Sequence, residues 1–378
     1  MKTNIKKVAI VYPYLPAYRI PFFEKLEREL EEHGIELTIY SGTNLGQKKV
    51  KEISSSSLKI SKQQRAGFSI NKFQVQWQKG LLREVSRDNP SMFIFMYNAG
   101  ILNYSLLMLS LSLHKIPFYI WTSGHKRFGL STSQHKIKDR FKSMGINRAS
   151  GIISYSSYYK NQLEESGYSP EKIFVAQNTV NVENIIQKYP FSEIKRTYET
   201  VKFLFVGNVI ETKSIDKALH CFKKIKEQGY NFQFDVVGEG YHLQTLKALS
   251  AKLGLQEQVN FHGAKYGEDA AAFFLISNVF LLPGTGGLAI NEAMAYGLPI
   301  ITTPGDGTAH DLVNKNGFLL DFNFPPEQLE DAIFFFLKAK PQEFRKMEEQ
   351  SVHLIKSHFL QANMVKGFMA PILKELKT

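Results

Sequence analysis

The sequence predicts an α/β protein built from two doubly wound domains in tandem. Both halves of the chain alternate short apolar strands with helices of about ten residues. The strands are apolar and β-branched in character, which is typical of parallel strands that helices cover on both faces. At 378 residues the chain is too long for one ordinary hydrophobic core and suits two.

The first half carries a series of predicted strands. They read KVAIVYPY, IELTIYSG, FSINKFQVQW, SMFIFMYN, PFYIWTSG, GIISYSS and KIFVAQN. A helix, PFFEKLERELEEHG, follows the first strand, and Gly34 supplies its C-terminal cap. The apolar run from Ile101 to Leu113 is shorter than the ~20 residues that a membrane span needs, so it predicts a buried helix.

The second half continues with the strands VKFLFVG, NFQFDVVG, QVNFHG, NVFLLPG, PIITT and GFLLDF. Between the halves, residues 181–200 are polar and contain Pro190, which predicts a linker. The predicted domains are residues 1–180 and 201–355, with a C-terminal helix over 356–378 that crosses back to the first domain. Because ligands of such sheets bind beyond the carboxyl ends of the strands, we expect a substrate in a cleft between the domains.

The net charge of +12 is confined to one half of the chain. Residues 1–180 contain 26 Lys and Arg against 13 Asp and Glu, whereas residues 181–378 contain 21 against 22. A charge polarised in this way favours an anionic membrane surface or a polyanionic substrate as the partner of the first domain. Nucleic acid is excluded, because no basic run is combined with a known aromatic or helix-turn-helix recognition module.

Two basic tracts lie on this side of the chain, at residues 46–65 and 135–148. Each is either a solvated face or a site of electrostatic docking on anionic lipid. The single cysteine, Cys221, excludes an internal disulfide and lies on the apolar side of a predicted helix. The N-terminus shows no signal-peptide pattern, so we expect a cytoplasmic protein, peripheral on the inner face of the cell membrane where docking applies.

The most informative motif is LLPGTGGLAINEAMAYGLPIITTPG, in which a strand leads to Gly284, Gly286 and Gly287 and then to a short helix. Glycines let a backbone approach an anion closely, and the unpaired N–H groups of a helix start bind phosphate. Glu292, about one turn into the helix, either accepts hydrogen bonds from ribose hydroxyls or only complements the helix dipole. The glycines, in turn, either cradle a phosphate or only make a tight turn.

Two further turns in the second half repeat this arrangement of strand, loop and helix. In FLFVGNVIETKSIDKALHCF, Ser214 is a candidate N-cap and Lys213 stands just before it, either solvated or neutralising a diphosphate. The buried stripe of that helix is Ile215, Ala218, Leu219 and Phe222. In VVGEGYHLQTLKALSAKLGL, Gly238 and Gly240 form the third turn, and we expect Gly238 at the substrate.

These motifs carry a family resemblance. VGNVIETKSID, VVGEGYHLQTLKALSAKLGLQEQVNFHG and VFLLPGTGGLAINEAMAYGLPIITT, in this order, resemble the C-terminal domain of glycosyltransferase family 4. In the first half, AQNTVNVE and the preceding SSYYKNQLEESGYSPEKI resemble the family as well. The resemblance covers nearly the whole chain and implies a GT-B fold, in which two Rossmann-like doubly wound domains face each other across a cleft.

The resemblance also implies roles for particular residues. Lys213 matches the lysine that contacts the donor phosphates, and Glu292 matches the acid that holds the nucleotide ribose. The backbone that cradles the diphosphate is matched by Gly287, Leu288 and Ala289. His125, in WTSGHKRFG, resembles the histidine that meets the donor sugar near the reacting carbon; the alternative is a surface histidine at a strand end.

The sequence departs from the family at two site positions. Gly284 stands where the family has a glutamate against the donor sugar. A glycine there predicts open space and no acceptor group, so we expect the sugar hydroxyls to hydrogen-bond with Thr285 and the N–H groups of Gly286 and Gly287. Asn208 replaces a family arginine at the diphosphate. Arg19, Lys126 and Arg127 of the first half are candidate substitutes, and YPYLPAYRIPFFEKL, which contains Arg19, is expected to shape an acceptor pocket.

Together these features predict a retaining glycosyltransferase. It would move a sugar from a UDP- or GDP-sugar to a glycan acceptor, lipid-linked in our expectation, in the synthesis of O-antigen, capsule or exopolysaccharide. No acidic triplet or His/Cys cluster has metal-ligand spacing, so we expect no cofactor and no metal. The alternatives are a GT-B nucleotide-sugar epimerase and a non-catalytic, nucleotide-sugar-binding subunit of a glycosyltransferase complex.

Overall fold

A computed structural model describes residues 5–43, 57–70, 73–98, 100–123 and 147–376. The chain divides into two compact units. The first comprises Met1–Gln177 together with Gln361–Thr378, and the second comprises Asn178–Leu360. Residues 181–200, the linker of the sequence prediction, lie inside the second unit, and the C-terminal helix belongs to the first.

The strands in chain order are β1 Lys6–Tyr12, β2 Ile35–Gly42, β3 Ile60–Gln63, β4 Arg65–Ile70, β5 Phe73–Gln78, β6 Met92–Met96, β7 Phe118–Thr122, β8 Gly151–Ser154, β9 Ile173–Val175, β10 Val201–Val206, β11 Phe232–Val237, β12 Val259–Gly263, β13 Val279–Leu282, β14 Ile300–Thr302 and β15 Gly317–Leu319. The α-helices are α1 Ile20–Glu32, α2 Leu81–Asp88, α3 Leu102–Leu113, α4 Ser157–Glu165, α5 Val182–Lys188, α6 Ile215–Glu227, α7 Leu243–Lys252, α8 Glu268–Ile276, α9 Leu288–Ala295, α10 Ala309–Leu312, α11 Pro326–Lys338, α12 Pro341–His358 and α13 Gln361–Leu376.

The first unit is built on a seven-stranded sheet in the order β3-β2-β1-β6-β7-β8-β9. Every pairing in it is parallel. Helix α1 begins with Pro21 in its first turn and is followed by Gly34 at φ 67°, so the predicted cap is confirmed. Phe22 of α1 and Phe368 of α13 lie with ring centroids 5.0 Å apart in the same core cluster. The C-terminal helix is therefore part of the core of this unit.

One predicted strand of the first unit is wrong. FSINKFQVQW is not a single strand but parts of β4 and β5, which pair in antiparallel register from Arg65 opposite Gln78 to Ile70 opposite Phe73. Apolar residues alternate with the same period in one long strand and in the two strands of a hairpin, so the pattern does not distinguish them. Asn71, within FSINKFQVQW, is a residue type that favours turns. The short edge strand β3, with the polar sequence ISKQ, gave no apolar signal to predict it.

Helix α3 is buried on one face only, so the prediction of a buried helix is half correct. Tyr104, Leu107 and Leu111 belong to the core of the first unit. The opposite face carries four exposed leucines at helical spacing, namely Leu102, Leu106, Leu109 and Leu113, with exposures of 44–74%. None of the helices in the described ranges is long and apolar enough to cross a membrane.

The second unit is built on a six-stranded sheet in the order β12-β11-β10-β13-β14-β15, again with parallel pairings only. All six strands predicted for this half are confirmed. The predicted stripe of α6 is buried, and Cys221 lies beside it with 2% exposure, as expected for a core residue. Strands β10, β13 and β14 are neighbours at the centre, so the loops that follow them meet at one edge of the sheet.

Candidate functional site

The glycine turn follows β13 and leads into α9, as the sequence predicts. Gly297, at φ 82°, ends this helix. Among the described residues, no acceptor is hydrogen-bonded to the N–H groups of Gly286 and Gly287. The first N–H groups of a helix have no partner inside the helix either. The turn therefore presents a set of free donors at the carboxyl end of β13, which suits an anionic ligand.

Lys213 reaches this turn from the neighbouring strand. It ends a short 3-10 turn after β10, and its Nζ donates a hydrogen bond to the carbonyl oxygen of Thr285. The Nζ atom also lies 3.4 Å from the place that a Cβ on Gly286 would occupy. Desolvation lowers the pKa of this ammonium group, and the charge of Asp306 opposes that shift. The structure thus brings the predicted lysine and the predicted glycines together.

Ser214, the residue after this lysine, occupies the N-cap position that the sequence predicts, but without the hydrogen bond of a capping side chain. Its side chain makes no capping hydrogen bond to α6, and its backbone is left-handed with φ 53°. A left-handed conformation is uncommon for a residue other than glycine and costs roughly 1–3 kcal/mol, and such positions concentrate at functional sites. This turn places Lys213 at the start of α6.

The expectation that Gly284 leaves open space is wrong. A Cβ at this position would lie 2.3 Å from the carbonyl oxygen of Thr212 and 2.4 Å from the carbonyl carbon of Lys213. Thr285 joins the same two loops, because its backbone N–H and its hydroxyl both donate to the Thr212 carbonyl, at 2.9 and 3.2 Å. The glycine is therefore required for the contact between the loop after β10 and the loop after β13.

Two other predicted binding residues follow β10 and β11. Gly238 lies at φ 148°, and a Cβ on it would be 1.8 Å from the carbonyl oxygen of Gly207. Gly240 approaches the carbonyl oxygen of Val209 in the same way, at 2.0 Å. Both positions therefore require glycine, because the backbone of the neighbouring loop leaves no space for a Cβ. Asn208, beyond the end of β10, is exposed.

Glu292 is half-buried in the second turn of α9, and no residue of the described chain donates a hydrogen bond to its carboxylate. Burial raises the pKa of this carboxyl group. The helix dipole acts mainly on the first turn, so complementing the dipole explains this position poorly. A carboxylate that burial destabilises and that lacks a protein partner is typical of a functional group.

Asp306 is a site residue that sequence reasoning missed. It lies in the loop after β14, between Gly305 at φ 57° and Gly307 at φ 88°. Its Oδ1 accepts hydrogen bonds from the hydroxyl of Thr308 at 2.6 Å and from the N–H of Thr308 at 3.2 Å. Its Oδ1 and Oδ2 lie 3.0 and 2.9 Å from the place that a Cβ on Gly287 would occupy. The signal in the sequence was the motif GDGT directly after a predicted central strand.

Arg19 is buried in the first unit. It is 2% exposed, and its guanidinium lies 5.1 Å from the ring centroid of Trp121 and 5.2 Å from that of Tyr18. One of its nitrogens donates to the sulfur of Met364 in α13, at 3.8 Å. These contacts give the side chain a structural role in the aromatic core.

Several predicted positions lie outside the described residues. They are His125, Lys126 and Arg127, most of the basic tract 135–148, and most of the tract 46–65. Within the described ranges, no group of three or more His, Cys, Asp or Glu side chains is placed to hold a metal ion.

Two parallel, doubly wound units define the class of this protein, which has the GT-B fold. A glycosyltransferase of Rickettsia africae is similar over 99% of this chain and 100% of its own, with a TM-score of 0.70 and 18% identity. HepE of Anabaena, solved in complex with UDP, is similar over 98% of this chain and 100% of its own, with a TM-score of 0.68 and 12% identity. At such identities the likeness shows the fold alone.

Within this class, residues 190–352 match the protein-family model described as Glycosyl transferases group 1. The matched residues contain Lys213, the glycine turn, Glu292 and Asp306. The chain is similar to WcaL of Salmonella typhimurium, named as a colanic acid biosynthesis glycosyltransferase, with 26% identity over 221 residues, or 56% of this chain and 51% of WcaL. The chain spans only about half the length of the relatives that it matches first, 51% and 45%.

Proposed function

We propose that the protein is a glycosyltransferase that moves a sugar from a nucleotide-sugar donor to a glycan acceptor. The observation that carries this proposal is the meeting of Lys213 with the free N–H groups of Gly286 and Gly287 at the end of β13. A half-buried ammonium and a helix N-terminus are a preorganised site for a diphosphate. The match of residues 190–352 to the group 1 glycosyltransferase model and the similarity to WcaL support the proposal that the protein transfers a sugar.

In the donor complex, Lys213 and the backbone N–H groups of Gly287, Leu288 and Ala289 hold the diphosphate, and Glu292 accepts hydrogen bonds from the ribose. The nucleoside is uridine or guanosine, and the complex of the Anabaena protein with UDP favours uridine. No divalent ion is needed, because the ammonium and the helix N-terminus supply the positive charge. The expected result is full activity in the presence of a chelator.

The proposed reaction retains the configuration of the sugar, as the resemblance to glycosyltransferase family 4 implies. The bond between the anomeric carbon and the diphosphate oxygen breaks, and the acceptor hydroxyl oxygen bonds to the same face of that carbon. The departing diphosphate oxygen takes the proton of the acceptor hydroxyl. The protein contributes position and charge stabilisation, and removing one such electrostatic contact typically costs about 100-fold or more in rate.

The acceptor is a glycan of a cell-surface polysaccharide, carried on a lipid at an anionic membrane surface. The exposed leucines of α3 and the twofold excess of basic over acidic residues in positions 1–180 support this part of the proposal. An apolar helix face beside positive charge is the combination that peripheral membrane proteins use. The acceptor then diffuses in the plane to which the enzyme is bound.

Incubation with a panel of labelled UDP- and GDP-sugars tests the function. Slow release of free sugar and free nucleoside diphosphate, and transfer when lipid-linked glycans are added, are expected. Formation of the epimeric nucleotide sugar without release would identify an epimerase instead. Tight nucleotide binding with neither reaction would identify a non-catalytic binding subunit, which the replaced positions Gly284 and Asn208 make the natural second candidate.

A further inference from the structure

A carboxylate of the loop after β14 lies against the glycine turn. Asp306 packs against Gly287 and interacts electrostatically with Lys213. Two observations fix its position. Its Oδ1 accepts hydrogen bonds from the hydroxyl and the N–H of Thr308, which is 1% exposed. The backbone of Gly305 packs on the turn, because a Cβ on this glycine would lie 2.2 Å from the carbonyl oxygen of Gly286. The side chain is therefore oriented before any ligand binds.

The second oxygen, Oδ2, receives no hydrogen bond from any residue of the described chain. An ionised carboxylate only accepts hydrogen bonds, so it repels a phosphate and needs a donor group from its ligand. A site that bound only a nucleoside diphosphate would bind it more tightly without this carboxylate. The chemical group that directly adjoins the diphosphate of a nucleotide sugar and carries O–H donors is the sugar.

We propose that Asp306 is a specificity-determining residue, whose Oδ2 accepts a hydrogen bond from a hydroxyl of the donor sugar, and that Thr308 is the positioning residue that holds it. This inference rests on the proposed function. It also accounts for Gly284: the loop after β10 fills the space beside that glycine, so no side chain fits at position 284, and the loop after β14 supplies a carboxylate instead.

The test separates binding of the sugar from binding of the nucleotide. Affinities for UDP, GDP, UDP-glucose, UDP-galactose and GDP-mannose are measured by calorimetry for the wild type, Asp306→Asn and Asp306→Ala. Both variants should bind the preferred nucleoside diphosphate as tightly as the wild type or a few-fold more tightly. Their affinity for the preferred nucleotide sugar, relative to its nucleoside diphosphate, should fall by about 10- to 100-fold, and discrimination between the sugars should shrink with it.

Thr308→Val removes the anchoring hydroxyl and should give a smaller loss of the same kind, which Thr308→Ser should restore. Asp331→Asn, an exposed position of α11, is the matched control and should change neither ratio. If Asp306→Ala discriminated between the sugars as well as the wild type, and the wild-type protein transferred sugar, this inference would be overturned and the proposed function would stand. A wild-type protein that binds none of the five probes would overturn both.

Discussion

At the scale of single residues, Lys213 carries the largest share of the proposed chemistry. Among the described residues it is the cation in contact with the glycine turn, and burial already lowers the pKa of its ammonium group. A cation held in a partly desolvated place interacts more strongly with an anion than one in water. Burial of the charge therefore destabilises the free protein and strengthens the binding of an anion.

Lys213→Ala should weaken binding of the nucleoside diphosphate and lower the turnover by at least ~100-fold. Since only the ammonium form attracts the diphosphate, the wild-type affinity should also fall as the pH rises through the lowered pKa, and this alkaline decline should be missing from the variant. Calorimetry with UDP and GDP across the pH range measures both effects. Lys223→Ala, at a partly exposed position of α6 where the ammonium pairs with Glu227, is the control. Equal nucleotide affinity in wild type and Lys213→Ala would remove the lysine from the site.

Glu292 should likewise lower the stability of the free protein and favour the binding of the nucleotide. A carboxyl group whose pKa is raised by folding stabilises the fold below its unfolded-state pKa and loses that contribution as the pH rises through the folded-state value. Glu292→Gln should therefore raise Tm by about 2–4 °C near pH 8, and the gain should vanish near pH 4. The same variant should bind nucleotides more weakly. A variant that melts earlier and binds UDP and GDP normally would favour a structural role.

At the scale of elements, a buried ion pair that the sequence did not reveal holds α12 against the rest of the second unit. Arg196 and Glu348 are both 1% exposed and lie 3.4 Å apart, and Glu348 also accepts from the hydroxyl of Tyr198 at 2.9 Å. The guanidinium donates to the carbonyl oxygens of Phe274 and Tyr296 as well. The ion pair therefore holds the segment before β10, α12 and the end of α9 together.

Glu348→Ala should lower the free energy of unfolding by about 3–5 kcal/mol, because it leaves a buried guanidinium without its counter-ion. The adjacent Glu349 pairs with Arg345 on the exposed side of α12, so Glu349→Ala should cost only about 0–1 kcal/mol. Urea unfolding followed by circular dichroism compares the two variants under one set of conditions. Similar losses for the two would contradict the assignment of the buried pair.

The elements show why some of the fold could be predicted and some could not. The strands of the second unit are mainly apolar and several are followed closely by glycines, so the local sequence was sufficient to predict them. The β4–β5 hairpin was missed because its alternation is shared with a single strand. Gly284 was misjudged because the backbone that fills its space, at Thr212 and Lys213, is 71 residues or more away along the chain. Asp306 was missed for the same reason, since its partners at Gly287 come from a neighbouring strand end.

At the scale of the whole molecule, charge and apolar exposure are distributed unequally. The positive excess lies in positions 1–180, and the exposed leucine stripe of α3 lies in the same part of the chain. The second unit carries the proposed donor site and has no positive excess. Under the proposed function, the first unit would contact an anionic surface and the second would recognise the nucleotide sugar.

If the first unit docks on the membrane, the protein should sediment with vesicles that contain anionic lipid and not with neutral vesicles. Binding should fall with added salt, because each basic residue near the surface contributes ~1 kcal/mol that is screened over a Debye length. Replacing Leu102, Leu106, Leu109 and Leu113 by serine should weaken it further at every salt concentration, since burial of apolar surface does not depend on salt. The matched control replaces Tyr241 and Tyr266, exposed aromatic residues of the second unit, and should bind like the wild type. Equal sedimentation with neutral and anionic vesicles would reject electrostatic docking, whereas full binding by the four-leucine variant would reject α3 as the contact surface.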